Sequence, residues 1–320
     1  MEIYHFVNGQ PPILYNALER MPDEGLVWID FLRSECSGWE ALPRRLLGIE
    51  IDFQHVLDVQ NANHPSSFDG TDAYDLLILE GLGPADKPLP MEIRVSGFFM
   101  FDRLLITVRA AGNVSIDTAK RRFLQGRTKP PSTILLLAHV ILDMMVDRFL
   151  EIREPLDREL TTLQDELLDT DSSRDDWRAL LIARREVRRL EALADAQFEA
   201  LDAWRRNSRS DWSSTEEIRV RDLIEHVTRV ENHAAGMERD LEAAVQLYFA
   251  SISHRTNQIM KIFTVVSVVF MPPMLVTGIW GMNFKIMPEL EWRYGYPLAL
   301  TIIFGLCIGM LAWFRRRRLF

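Results

Sequence analysis

The run IFTVVSVVFMPPMLVTGIW, Ile262 to Trp280, contains no charged residue, and neither does PLALTIIFGLCIGMLAWF, Pro297 to Phe314. A helix of roughly 20 apolar residues crosses the hydrocarbon of a bilayer. Two such runs, a short loop apart, restrict the chain to a membrane hairpin or to a hairpin buried in a large core. The aromatic residues at their ends, Trp280, Trp292, Tyr294, Tyr296 and Trp313, match the belts that settle at headgroup level and favour the membrane. Arg315 to Arg318 follow the second run, and Arg255 and Lys261 precede the first. Basic flanks stay on the cytoplasmic side, so the expectation is an inner-membrane protein with both termini in the cytoplasm and residues 281–296 facing outward. The arginine tetrad reads as an anchor on anionic headgroups rather than a nucleic-acid patch.

Everything before Ile259 has a different character, dense in Asp, Glu and Arg. The formal charge of −9 falls mostly there, and it excludes nucleic acid as a partner, because neutralising phosphates requires a basic face. The start, MEIYHFVNGQPP, has no apolar signal-peptide core. Cys36 and Cys307 stand one in each region, so no disulfide framework is expected. No Gly-rich phosphate loop and no Ser/His/Asp arrangement is present, which argues against an enzyme and against a resident cofactor.

LVWIDFL (Leu26 to Leu32), YDLLILEGL (Tyr74 to Leu82) and the pair MEIRVSGFFM and RLLITVRA are rich in branched and aromatic residues and predict strands. Phe101 and Asp102 between the last two predict a hairpin. ALPRRLLGIEIDFQHVLD has helical spacing, so residues 1–131 read as a cytoplasmic α+β domain. From Ser132 apolar residues recur every three or four positions, predicting one long amphipathic helix to about Asp169 and a second through Trp204, a pair occupying 132–213. A third helix starts near Thr215, where Ser213 or Ser214 can cap it and Glu216 or Glu217 can complete a capping box. No strong stop precedes Trp280, so at about 1.5 Å per residue this helix would approach roughly 100 Å. Its part 214–261 reads as a stalk, 262–280 as the first membrane span, 297–314 as the second, and 315–320 as a basic cytoplasmic tail.

One face of the first span presents Asn257, Met260, Thr264, Ser267, Met271, Met274 and Gly278, all polar, small or soft. The other presents Ile259, Ile262, Val265, Val266, Val269 and Phe270, suited to lipid or a neighbouring helix. A small-residue stripe lines a pore or permits close helix packing, and periodicity does not choose between them. Pro272 and Pro273 cannot donate to the carbonyls of Val268 and Val269, and such breaks are tolerated where backbone faces protein or water. One span cannot enclose water, so a pore requires a symmetric homo-oligomer.

Gly281-Met282-Asn283, then Phe284 and Met287-Pro288-Glu289-Leu290, then WRYGYP from Trp292, resembles the signature of the CorA family of divalent-cation channels and transporters. The approach YFASISHRTNQIMKIFT is also similar to that family's, and the resemblance extends over about Ser132 to Phe320. It implies a funnel-shaped homopentamer, with an α+β cytoplasmic domain, paired long helices and five stalk helices around one pore. Under it, Gly281, Met282 and Asn283 form the outer selectivity ring with Glu289 near the mouth. Asn257 forms a polar ring at the cytoplasmic end, and Met260, Phe263 and Met271 form apolar constrictions. Asp222 belongs to a regulatory divalent-cation site. Neutral amide and carbonyl oxygens suit a cation that keeps its waters, as Mg²⁺ does. The chain departs from the family at Phe263, Pro273, Met274 and Trp280, where smaller aliphatic, aliphatic, hydroxyl and Tyr residues are usual.

His226 and His233 share one helix face with Asp222 and are compatible with a metal site or with a solvated polar face. His55, Asp58, His64, Asp69 and Asp72 form a looser group without zinc-like spacing. The expected function is membrane-potential-driven uptake of Mg²⁺, with Co²⁺ or Ni²⁺ as further substrates, gated by intracellular divalent cation. The alternatives are a ZntB-like zinc transporter, proton-coupled or not, and a non-conducting membrane scaffold plugged by Phe263 and Met274.

Overall fold

The computed structural model describes residues 1–320 except 8, 36–37, 85–88, 169–173, 283–284, 286, 289–291 and 318–320, and gives backbone alone for 167–168 and 174–177. Two compact units result, Met1–Ala244 and Val245–Phe320.

In the first unit the expected strands are present as β3 (Leu26–Leu32), β5 (Asp75–Leu82), β6 (Ile93–Met100) and β7 (Leu104–Arg109). They are joined by β1 (Glu2–Phe6), β2 (Ile13–Tyr15) and β4 (Ser67–Gly70), which their composition did not announce. The sheet order is β2-β1-β3-β7-β6-β5-β4, with β3 and β7 parallel and the other pairs antiparallel. The β6–β7 hairpin turns at Phe101 and Asp102 as expected. Central strands are buried along nearly their whole length, because helices cover both faces. Gly97 of β6 admits Val59 of the helix α2 (Phe53–Gln60): a Cβ there would lie 2.6 Å from Val59. Gly81 of β5 admits Met145 on the opposite face, with a Cβ 2.9 Å from its methyl group.

The segment between β3 and β4 forms two helices, α1 (Ala41–Leu47) and α2, because Gly48 at φ +75° ends the first in the left-handed region that favours glycine. After β7 come α3 (Val114–Leu124) and α4 (Ile134–Glu151), then α5 (Arg153–Leu168), α6 (Arg174–Asn207) and α7 (Ser214–Trp280). The single helix expected from Ser132 is thus two, α4 and α5, broken at Ile152. Pro155 explains the break, since it has no N–H to return to the Glu151 carbonyl. The start of α7 is a capping box between Ser213 and Glu216. The Ser213 hydroxyl accepts from the Glu216 N–H at 3.3 Å, and the Glu216 carboxylate accepts from the Ser213 N–H at 2.9 Å.

In the second unit, α7 continues through Pro272 and Pro273 to Trp280, and α8 (Gly295–Arg316) follows the loop. Val265 and Val269 of α7 pack on Phe314, Cys307 and Met310 of α8. Among the described residues these are the two helices long and apolar enough to cross a membrane.

Candidate functional site

The face of α7 away from α8 holds the expected pore stripe. Asn257, Met260, Thr264, Ser267, Met271, Met274 and Gly278 are all exposed, Met271 and Met274 by 69% and 70%, and Phe263 by 65%. Val265 and Val269, assigned from the sequence to the apolar back, are 5% and 4% exposed. The Thr264 hydroxyl donates to the Met260 carbonyl at 2.8 Å, which leaves its oxygen lone pairs turned outward as acceptors. Of the two carbonyls that Pro272 and Pro273 release, that of Val269 is met by Cys307, whose Sγ lies 4.0 Å away. This proline break therefore turns one free carbonyl toward α8, not toward the exposed stripe. At the C-terminal end of α7, Gly281 N–H still bonds the Thr277 carbonyl at 2.9 Å and Met282 N–H the Ile279 carbonyl at 3.2 Å, so the helix unwinds through Gly281 and Met282. Asn283 and Glu289 lie outside the described residues.

A second group of ligands lies in the first unit, between α4 and α7. Asp143 and Asp147 are four residues apart on one face of α4, as are Asp222 and His226 on α7. His226 Nδ1 is 3.1 Å from Asp147 Oδ1, and its Nε2 is 3.8 Å from Asp222 Oδ1. Ligand atoms of Asp143, Asp147 and His226 all lie within 4.8 Å of one another, the one such His/Cys/Asp/Glu group among the described residues. Burial raises the Asp143 pKa above its ordinary value, and the Asp147 charge adds to the rise. His139, one turn earlier, donates from Nε2 to the Arg219 carbonyl at 3.0 Å, and burial lowers its pKa. Two carboxylates and an imidazole thus converge, with Asp222 on the far side of the imidazole, an arrangement of ligands that a divalent cation could join.

The sequence placed Asp222 and His226 here and missed Asp143 and Asp147. Their signal was an i, i+4 acidic pair inside the otherwise apolar ILLLAHVILDMMVDRFL. His233 does not join them: its Nε2 lies 3.2 Å from Asp157 of α5, and burial lowers its pKa. The group near α2 resolves into separate pairs, His55 with Asp69 at 3.1 Å and His64 with Asp58 at 3.7 Å. His55 Nδ1 also contacts the Tyr74 hydroxyl at 2.8 Å, a structural role.

An α+β body, a helical layer and two apolar C-terminal helices make up the architecture of a two-span membrane protein. The chain belongs to the CorA-like Mg²⁺ transporter protein family, whose model matches residues 23–316. It is 26% identical over 182 residues to the cobalt/magnesium transport protein CorA of Thermotoga maritima. That match covers 57% of this chain and about half, 52%, of the Thermotoga protein. The putative metal ion transporter YfjQ of Bacillus subtilis is 25% identical over 315 residues, covering 92% of this chain and 89% of the relative. The complete structure of the CorA magnesium transporter from Methanocaldococcus jannaschii superposes with a TM-score of 0.84 at 20% identity, over 99% of this chain and 98% of that one, and shows the same fold.

Proposed function

We propose that the protein is a divalent-cation channel of the inner membrane that admits Mg²⁺, with Co²⁺ and Ni²⁺ as further substrates, through a homopentameric pore. The observation that carries this reading is the two-sided α7. Val265 and Val269 are packed on α8, while the opposite side, Asn257, Met260, Thr264, Ser267, Met271, Met274 and Gly278, is left uncovered in one chain; Ile259, Ile262, Val266 and Phe270 are exposed as well. Five copies turned inward would give this stripe an aqueous lumen, with both termini in the cytoplasm. Gly281, Met282 and Asn283 form the outer ring, with Glu289 beside it, and their amide and carbonyl oxygens hold a cation with its waters in place. Met260, Phe263 and Met271 form the apolar constrictions. An inside-negative potential contributes about 4 to 5 kcal/mol per divalent ion per 100 mV, so uptake needs no nucleotide.

Asp143, Asp147, Asp222 and His226 form the regulatory cation site. Occupied by intracellular cation, the site draws α4 and α7 together; vacant, its carboxylates repel and loosen the stalk. Reconstituted flux of Mg²⁺, Co²⁺ and Zn²⁺ tests the reading. Wild type is expected to pass Mg²⁺ and Asn283→Ala to lose it, and flux surviving that substitution overturns the selectivity ring. Inhibition by internal Mg²⁺ that persists unchanged in Asp222→Ala overturns the gating assignment.

A second reading, zinc transport, draws support from the imidazole of His226 in the cluster and from the soft thioethers of Met271 and Met274. Uptake of Zn²⁺ without Mg²⁺ in the same vesicles would select it.

A further inference from the structure

An apolar cavity of about 430 Å³ opens where α7 ends and α8 begins, walled by Trp280, Trp292, Arg293, Tyr296 and Leu298. None of these residues belongs to the pore stripe. Trp280 is the last residue of α7 and Gly295 the first of α8, so, on the membrane placement proposed above, the cavity falls at the height where a bilayer changes from hydrocarbon to headgroup. Its walls are mostly apolar, and Trp292 meets Tyr294 edge-on with ring centroids 6.0 Å apart. Arg293 forms no ion pair among the described residues. Tyr294 gives α8 no side-chain cap, so the positive end of the helix dipole lies beside Arg293 without a hydrogen bond from its cap residue.

We propose that this cavity holds an anionic glycerophospholipid of the outer leaflet. Its phosphate sits on the Arg293 guanidinium near the α8 N-terminus, its glycerol lies between the indoles of Trp280 and Trp292, and an acyl chain descends along Leu298 and Ala299. One exposed cation lining a pocket with aromatic walls matches a ligand that has one phosphate charge and an apolar tail. A free phosphate would leave the apolar walls unused. A zwitterionic headgroup carries its own ammonium to its phosphate and gains less from Arg293, which is why the anionic lipid is selected.

The test is photolabelling of the full-length protein in phosphatidylcholine vesicles doped with a phosphatidylglycerol that bears a photoreactive group in its acyl chain. Labelled positions are then mapped by mass spectrometry. Labelling is expected to concentrate in residues 280–299 and to be competed by unlabelled phosphatidylglycerol about fivefold better than by phosphatidylcholine or by glycerol phosphate. Arg293→Gln should lose about fivefold while Arg293→Lys retains most of it, and Leu298→Trp, which fills the cavity, should lose it as well. Each variant is compared after confirming that it elutes as the same assembly as wild type. Even labelling along both spans overturns the proposal, as does equal competition by glycerol phosphate, or Arg293→Gln labelled like wild type. Absence of labelling, the result if a neighbouring subunit covers the cavity, overturns it too.

Discussion

Upstream of Ala244, α7 buries Val220, Leu223, Val227, Val230, Ala234, Met237 and Leu241 at alternating steps of three and four residues; downstream, it exposes Met260, Phe263, Met271 and Met274. The upstream stripe has the spacing of a helix seam and is satisfied within its own chain. There, Arg184 and Arg188 of α6 pair with Glu238 at 3.1 and 2.9 Å, and His226 and His233 reach Asp147 and Asp157. The downstream stripe finds no such partners among the described residues of one chain. Apolar exposure on that scale marks a surface that lipid or further copies must cover. One continuous helix therefore obeys two rules, a folding rule above and an assembly rule below.

The largest effect that sharpens this contrast comes from Leu223→Ala, which empties a fully buried site and should cost about 2 to 5 kcal/mol in the denaturation of the first unit. Phe263→Ala, on the exposed stripe, should leave that transition unmoved and alter assembly or flux instead. If both variants shift the same transition equally, the two-rule description fails.

Next is Asp143→Asn. Loss of one carboxylate ligand should weaken stabilisation by added Mg²⁺ or Co²⁺ by about tenfold in apparent affinity, near 1.4 kcal/mol, in a thermal-shift titration. Asn283→Ala should change flux and leave this titration alone.

A pH series follows, and its sign is set by burial. The folded-state pKa of Asp143 is raised above the ordinary 3.8, so its protonated form contributes stability below that value, and the contribution is lost as pH rises through the raised pKa. A bound cation favours the ionised carboxylate. Thermal stabilisation by Mg²⁺ should therefore grow as pH climbs through this window. His139 titrates in the same cluster in the other sense: its pKa is lowered, so its neutral form contributes stability above its ordinary 6.5, and this is lost as pH falls through the lowered value. A cation effect that shrinks with rising pH over the Asp143 window contradicts the site.

The smallest effect is expected for Cys307→Ala, which removes the sulfur facing the Val269 carbonyl and should destabilise the α7–α8 contact by about 1 kcal/mol or less. Cys307→Ser, keeping a donor, should recover part of it.

Much of this organisation was legible before any coordinates. The uncharged runs, the basic flanks and the Gly281-Met282-Asn283 motif each depend on local composition, and the strands β3, β5, β6 and β7 are long and strongly apolar. The short β1, β2 and β4 were not legible, because strands of three to five residues carry too little pattern and owe their place to their neighbours in the sheet. The break between α4 and α5 was available in Pro155 but was outweighed by a continuous apolar period. The capping choice between Ser213 and Ser214 needed backbone geometry.

By itself the sequence determined the two apolar helices, their flanking charge, the polar face of α7 and the family. Periods, charges and motifs are properties of neighbours along the chain. The tertiary structure alone decided that Asp143 and Asp147 meet Asp222 and His226, that His233 goes to Asp157, and that the carbonyl freed by Pro273 turns to Cys307. Those pairings join residues far apart in sequence, and burial, which shifts their protonation and selects their partners, exists only once α4, α5, α7 and α8 have packed.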